Sequence, residues 1–183
     1  MGIGGILPIQ IYDNFSRNNK YELKITGSQK RVMKESIESA YTLATHIINS
    51  DIVSQYIKNN PNGYHIHTPN CATPKDGPSA GVAFAVAFIS RILNKKIKSN
   101  IAITGEIDLL GNVLKIGGLQ YKLYGAKRAN INIVFVPLDN KNDVTSDFDE
   151  LFCDDFRIVY VTHIREIIKE VLIDYDESLI IHS

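Results

Sequence analysis

Two side chains in this sequence could together do nucleophilic chemistry. Ser79 lies in Thr73-Pro-Lys-Asp-Gly-Pro-Ser-Ala-Gly81, a loop punctuated by proline and glycine that runs into the apolar stretch Val82 to Ile89. That stretch reads as a buried helix, and its first turn offers unpaired N–H groups and a positive dipole end to negative charge on or beside Ser79. Three roles suit such a serine: helix N-cap, phosphate contact or nucleophile, the cap being the commonest. The second residue is Lys122, in Gly117-Gly-Leu-Gln-Tyr-Lys-Leu-Tyr-Gly-Ala-Lys-Arg128. At helical spacing Leu119, Lys122, Leu123 and Ala126 share one stripe, with Lys127 and Arg128 off it. A lysine drawn into apolar surroundings has its charged form disfavoured, and a neutral amine can take a proton from serine without histidine or aspartate. The competing reading is a lysine whose stem packs while its ammonium reaches water.

The flanking pattern predicts the scaffold. Strands are expected at Ile6 to Tyr12 and Tyr21 to Thr26, joined as a hairpin through the polar Asp13 to Lys20 turn. Apolar residues from Met33 to Ile48 recur at helical spacing over about Gln29 to Asn49, and Asp51 to Lys58 reads as a shorter helix. A strand carrying His65 and His67 precedes the Ser79 loop; both imidazoles point to one side, a spacing compatible with metal, although no neighbouring Cys, Asp or Glu completes a ligand set. After the Ser79 helix and a basic turn at Asn94 to Asn100, strands are expected at Ile101 to Thr104 and Val113 to Ile116 around a turn at Leu110 to Asn112. The Lys122 helix, strands at Ile131 to Pro137 and Val159 to Thr162, and a helix at Ile164 to Leu172 follow, with an acidic loop at Asp143 to Asp155. Strands and helices alternate without internal repeats, which makes the fold class α+β (mixed α/β) with a mixed sheet.

At 183 residues the chain suits one domain. Lysine plus arginine (20) balance aspartate plus glutamate (20), so no basic field gathers nucleic acid. No apolar run approaches a membrane span, and the start lacks a charged signal-peptide region. Cys71 and Cys153 sit in no disulfide framework and read as thiols; Cys71, near the Ser79 loop, is a rival nucleophile with no histidine in a recognised relation to it. No Gly-Lys dipeptide occurs, hence no Walker A phosphate loop.

Taken together, Thr73 to Gly81, Thr104-Gly-Glu-Ile107, Gly111-x-Val113-Leu114 and Ile116-Gly-Gly-Leu119-x-x-Lys122 strongly resemble the proteolytic domain of Lon, the ATP-dependent serine protease of peptidase family S16. The likeness extends through Tyr21 to Ser39, His65-Ile-His67, Ile133 to Pro137 and Asn140, from about Gly4 to about Leu172. It implies the ribosomal protein S5 domain 2-like architecture, a proteolytic domain over residues 1–174 and a tail of unknown role over 175–183. It implies Ser79 as nucleophile and Lys122 as general base, with Thr104 expected to hydrogen-bond the Lys122 amine beside Glu106. Asp76, Gly77 and Pro78 are expected to shape the oxyanion turn, with the N–H groups of Ser79 and of the Asp76-Gly77 turn as donors and Asp76 gating the loop or pairing with Lys122. No metal is expected at the site. The resemblance further implies unfolded polypeptides as substrates, a homo-hexamer, an ATPase domain in cis that would hold ATP and Mg (no cofactor being expected in this chain), and a cytoplasmic or organellar-matrix setting. Lys115, Leu110 and Gln120-Tyr121 depart from the family pattern, as does Cys71. Two alternatives stay open: a catalytically silent assembly module of the same fold, and a small-molecule kinase using Gly77 to Gly81 as a phosphate cradle.

Overall fold

The apolar run after Ser79 becomes α3 (Gly81–Leu93), around which the rest of the chain packs; Val82, Phe84, Ala85, Phe88 and Ile89 are all fully buried. In the computed structural model, which describes residues 4–15, 20–144 and 155–181, the chain is a mixed α and β fold. Its order is β1 (Gln10–Asp13), β2 (Glu22–Thr26), α1 (Arg31–Ile47), α2 (Ser50–Asn59), β3 (Gly63–His67), α3, β4 (Ile101–Ile103), β5 (Glu106–Ile107) and β6 (Val113–Leu114). Then come α4 (Leu119–Arg128), β7 (Ile133–Pro137), a 3-10 turn at Leu138–Asp143, β8 (Arg157–Val161), α5 (Ile164–Val171) and a 3-10 turn at Glu177–Leu179.

Among the described residues the strands form three sheets. One has the order β1-β3-β2, with β3 antiparallel to β1 and parallel to β2. The hairpin expected between the first two strands is therefore absent: β3 lies between them and supplies both with hydrogen bonds. Period-two alternation tells which residues share a face, but it does not name the partner strand. A second sheet, β4-β7-β8, is parallel throughout and leaves β4 at its edge. The third is the two-stranded β5-β6 hairpin. Here too the pairing differs from expectation. β4 joins β7, and Val113–Leu114 pairs with a two-residue strand at Glu106–Ile107 too short to register as a pattern.

β7 separates two cores by simple alternation. Phe135 faces the main core with α3, α1 and α5, whereas Val134 and Val136 face a smaller cluster containing Ile116, Leu119, Leu123 and Ala126. Helices α3 and α4 thus cover opposite faces of the parallel sheet. Helix α1 buries Met33, Ile37, Ala40 and Ala44, the stripe read from its periodicity. Beyond Asp174 the chain is docked: Ile180 is buried and bridges Ile48, Asn49 N–H donates to Leu179 O at 2.9 Å, and Ile181 N–H to Ile47 O at 2.8 Å. Cys153 and most of the acidic Asp143 to Asp155 loop fall outside the described residues.

Candidate active site

Ser79 is held at the entrance of α3 by its own carbonyl. Gly105 N–H donates to Ser79 O at 2.8 Å, the Thr104 hydroxyl donates to the same oxygen at 3.2 Å, and Val82 N–H returns a bond to Gly105 O at 3.1 Å. Gly105 must be a glycine for this approach, since a Cβ there would lie 2.8 Å from Val113 Cγ1 and 3.0 Å from Val82 Cγ2. The Thr104-Gly-Glu106 segment is thereby stitched across the start of the helix. The Ser79 carbonyl is thus fixed, Gly81 N–H bonds Pro78 O at 3.0 Å, and Ser79 lines a cleft.

Lys122 arrives from α4, on the other side of the sheet. Leu119, Leu123 and Ala126 anchor that helix in the smaller core, and Lys122 stands on the same stripe. Its Nζ donates to Ser79 Oγ at 2.9 Å. Burial pushes the Lys122 amine below the ordinary lysine value, because desolvation penalises the ammonium. The start of α4 is set by a residue to which the motif reading attached no role. Buried Asn140 accepts from Ile116 N–H at 3.0 Å and donates back to Ile116 O at 2.7 Å and to the Asp143 carboxylate at 2.6 Å. This two-way clamp fixes the backbone just before Gly117 and Gly118, where Gly118 takes φ 67° to open α4.

The remaining site residues have definite but partly unexpected places. Thr104, expected on the Lys122 amine, spends its hydroxyl on the Ser79 carbonyl, so it orients the serine end of the contact. Among the described residues Asp76 forms no ion pair with Lys122. Its Oδ1 accepts from Met33 N–H at 3.1 Å and from Gly77 N–H at 3.0 Å. Because the α1 N-cap, Lys30, has no capping side chain, Asp76 caps that helix from a distance and ties the Ser79 loop to it. Partial desolvation pushes the Asp76 carboxyl up, but the N–H groups of Met33, Gly77 and Val32 outweigh it and hold the group below its usual range. The Gly77 N–H is consequently committed to Asp76. Among the described residues the Ser79 N–H has no backbone or side-chain acceptor, which leaves that donor available. Gly77 has φ 114° with open space beside it, so its role is conformational. Glu106 lies in β5 opposite Leu114.

A brace not visible in the sequence is Lys75. Its ammonium donates to Gly27 O at 2.9 Å, Asn70 O at 2.8 Å and Thr73 O at 3.0 Å, using all three protons to close the loop before Ser79. His65 and His67 share the Thr26 hydroxyl, at 2.8 and 2.7 Å. Burial, helped by Lys24 and His67, lowers the His65 pKa. Among the described residues no group of three or more His, Cys, Asp or Glu is arranged to hold a metal ion. Cys71 is an exposed free thiol.

Ser79 and Lys122 open onto a cleft of about 880 Å³ bordered by the N-terminal segment Gly5 to Ile9, by Ala80 at the N-cap of α3 and Ala83 within it, and by the edge strand β4. A hydroxyl in contact with a partly desolvated amine, beside an unused N–H at a helix start and an open groove, has the parts needed for acyl transfer. No helix of the described residues is long and apolar enough to cross a membrane.

Comparison with known proteins identifies the family. The chain is 48% identical over 185 residues to a Lon protease homolog of Acanthamoeba polyphaga mimivirus, covering 96% of this chain and 18% of that protein. It is 41% identical over 162 residues to the Lon protease of Vibrio parahaemolyticus, covering 86% and 20%. To the mitochondrial Lon protease homolog of Bos taurus it is 38% identical over 146 residues, covering 79% and 15%. The chain therefore spans about a fifth or less of the length of these curated relatives. The model of the Lon protease (S16) C-terminal proteolytic domain matches residues 2–174, and the chain belongs to that peptidase family.

Proposed function

We propose that the chain is the serine endopeptidase unit of a Lon-type protease working through a Ser79-Lys122 dyad. Neutral Lys122 accepts the Ser79 hydroxyl proton as Oγ attacks the peptide carbonyl, then returns it to the leaving amine; water repeats the cycle on the acyl-enzyme. The Ser79 N–H is the first oxyanion donor. The observation that carries this reading is the 2.9 Å contact between Lys122 Nζ and Ser79 Oγ, in which no carboxylate or imidazole of the described residues takes part. A silent module with the two groups held apart does not have this contact.

The cleft is open and largely apolar-walled, which suits an extended, unfolded polypeptide. The share of each relative left unmatched has room for an ATPase domain in cis, where ATP and Mg would bind, since this chain has no Gly-Lys dipeptide for a Walker A loop. We assign the chain the S5 domain 2-like architecture, a homo-hexameric ring, ATP-dependent protein quality control, and an aqueous compartment, the cytoplasm or an organelle matrix. A fluorophosphonate probe followed by peptide mapping tests the dyad. An adduct on Ser79 that Lys122→Ala prevents is expected; an adduct elsewhere, or peptide hydrolysis retained by Ser79→Ala, overturns it.

A further inference from the structure

The cleft beside Ser79 continues past the dyad. Ile9, Ala87 and Ile97 border both it and a second hollow of about 410 Å³, so the two adjoin and together make a groove along the surface. One face of α3 lines both, where Ala83, Ala87 and Ser90 recur every three or four residues. At the far end stand Arg91, Lys95 and Lys96. Among the described residues none of these three forms an ion pair. Arg91 is rigidly placed: Nε and Nη2 donate to Ile11 O at 3.1 and 2.8 Å, and its guanidinium carbon lies 5.0 Å from the Tyr12 ring centroid. The charge of Lys95 reaches Asp176, but that carboxylate accepts from Ser178 N–H at 2.9 Å. A groove that is apolar beside the serine thus ends in positive charge with no carboxylate of the described residues at ion-pair distance from it.

The rise from Gly81 to Arg91 is about 15 Å at about 1.5 Å per residue. An extended peptide covers that distance in about five residues at about 3.3 Å each. Resting on the reading of Ser79 as nucleophile, we propose that Arg91, Lys95 and Lys96 form a distal subsite that takes a carboxylate of the substrate polypeptide about five residues from the scissile bond. The carboxylate is an acidic side chain or the chain terminus. The subsite selects among unfolded segments, favouring those with an apolar cleavage sequence followed or preceded at that spacing by an acid.

Internally quenched peptides with one apolar cleavage sequence and Glu, Gln or Lys about five residues to either side test this. A further pair ends at that position in a carboxylate or an amide, which separates the two sources of negative charge. Turnover is read with the wild-type chain and binding with Ser79→Ala. In one of the two placements the Glu peptide, the terminal carboxylate, or both should exceed their neutral counterparts in kcat/KM and affinity by roughly threefold to fivefold. The advantage should fade at high salt. Lys95→Glu combined with Lys96→Glu should reverse the order so that the Lys peptide leads, while Lys98→Glu, exposed and outside the hollow, should keep it. Equal values for acidic, neutral and basic peptides in both placements, or an acid preference surviving the double reversal, overturns the subsite. Ser79-dependent cleavage without charge preference removes the subsite and leaves the dyad; acid-selective binding by a chain that hydrolyses nothing removes the dyad and leaves the subsite.

Discussion

Lys122 Nζ meets Ser79 Oγ at 2.9 Å, although the helices that bring them, α4 and α3, pack on opposite faces of the β4-β7-β8 sheet. The amine is part of a packed helix stripe, so its depressed pKa follows from the fold. That placement has an energetic cost as well as a chemical use. The unfolded chain carries Lys122 at its ordinary value, so the penalty for holding a proton in the native site is absent above about pH 10.5. It grows as pH falls through that value and is complete below the native pKa.

Lys122→Met should therefore raise the melting temperature at pH 7 while abolishing peptide hydrolysis, and the gain should shrink as pH rises toward the ordinary lysine value. Calorimetry at several pH values, beside a peptidase assay, measures both. A variant less stable than wild type at neutral pH would mean that the ammonium is well solvated.

Asn140 is buried and meets both polar groups of the Ile116 backbone. Asn140→Leu strands a buried N–H and C=O at the entrance of α4, a loss of about 2–4 kcal/mol in urea unfolding. Because the same clamp sets the register of Lys122, the folded fraction should also turn over peptide more slowly than wild type.

Asp76 acts through α1. Asp76→Ala should lower thermal stability and peptidase activity together, whereas Asp76→Asn, which keeps an acceptor for Met33 N–H, should retain more of each. The carboxyl is held below 3.8, so its contribution is present above that value and is lost as pH falls through the depressed native pKa. Melting curves of wild type and Asp76→Ala should accordingly converge in acid.

Gly105→Ala places a methyl 2.8 Å from Val113 Cγ1 and should cost about 1–3 kcal/mol. The shift moves the N–H that holds the Ser79 carbonyl, so hydrolysis should fall with stability. Adding Val113→Ala should recover part of both, and a double-mutant cycle reads the coupling.

The meeting of Ser79 with Lys122 was more legible in the sequence than the connections that support it. Ser79 before an apolar run and Lys122 on an apolar stripe follow from local spacing, and the α1, α3 and α4 stripes lie buried where their periodicity places them. The hairpin expected between the first two strands fails because β3, which begins at Gly63 where β2 begins at Glu22, competes for both. The Thr104 hydroxyl was expected on the Lys122 amine, and its bond to the Ser79 carbonyl follows from the three-dimensional approach of Gly105 to α3, which local spacing does not encode. Asp76 capping α1, Lys75 closing its loop and Asn140 clamping Ile116 each join segments distant in sequence, and spacing within one segment carries no record of them.

The protonation state of one amine tests the account most directly. With Lys122 identified by comparison with Lys122→Met, NMR titration of the lysine side-chain amines should show it losing its proton below the other lysines. The pH profile of peptide turnover should rise through the same value, because only the neutral amine can take the Ser79 proton. A Lys122 that titrates together with the exposed lysines, while turnover is already complete at lower pH, contradicts the account.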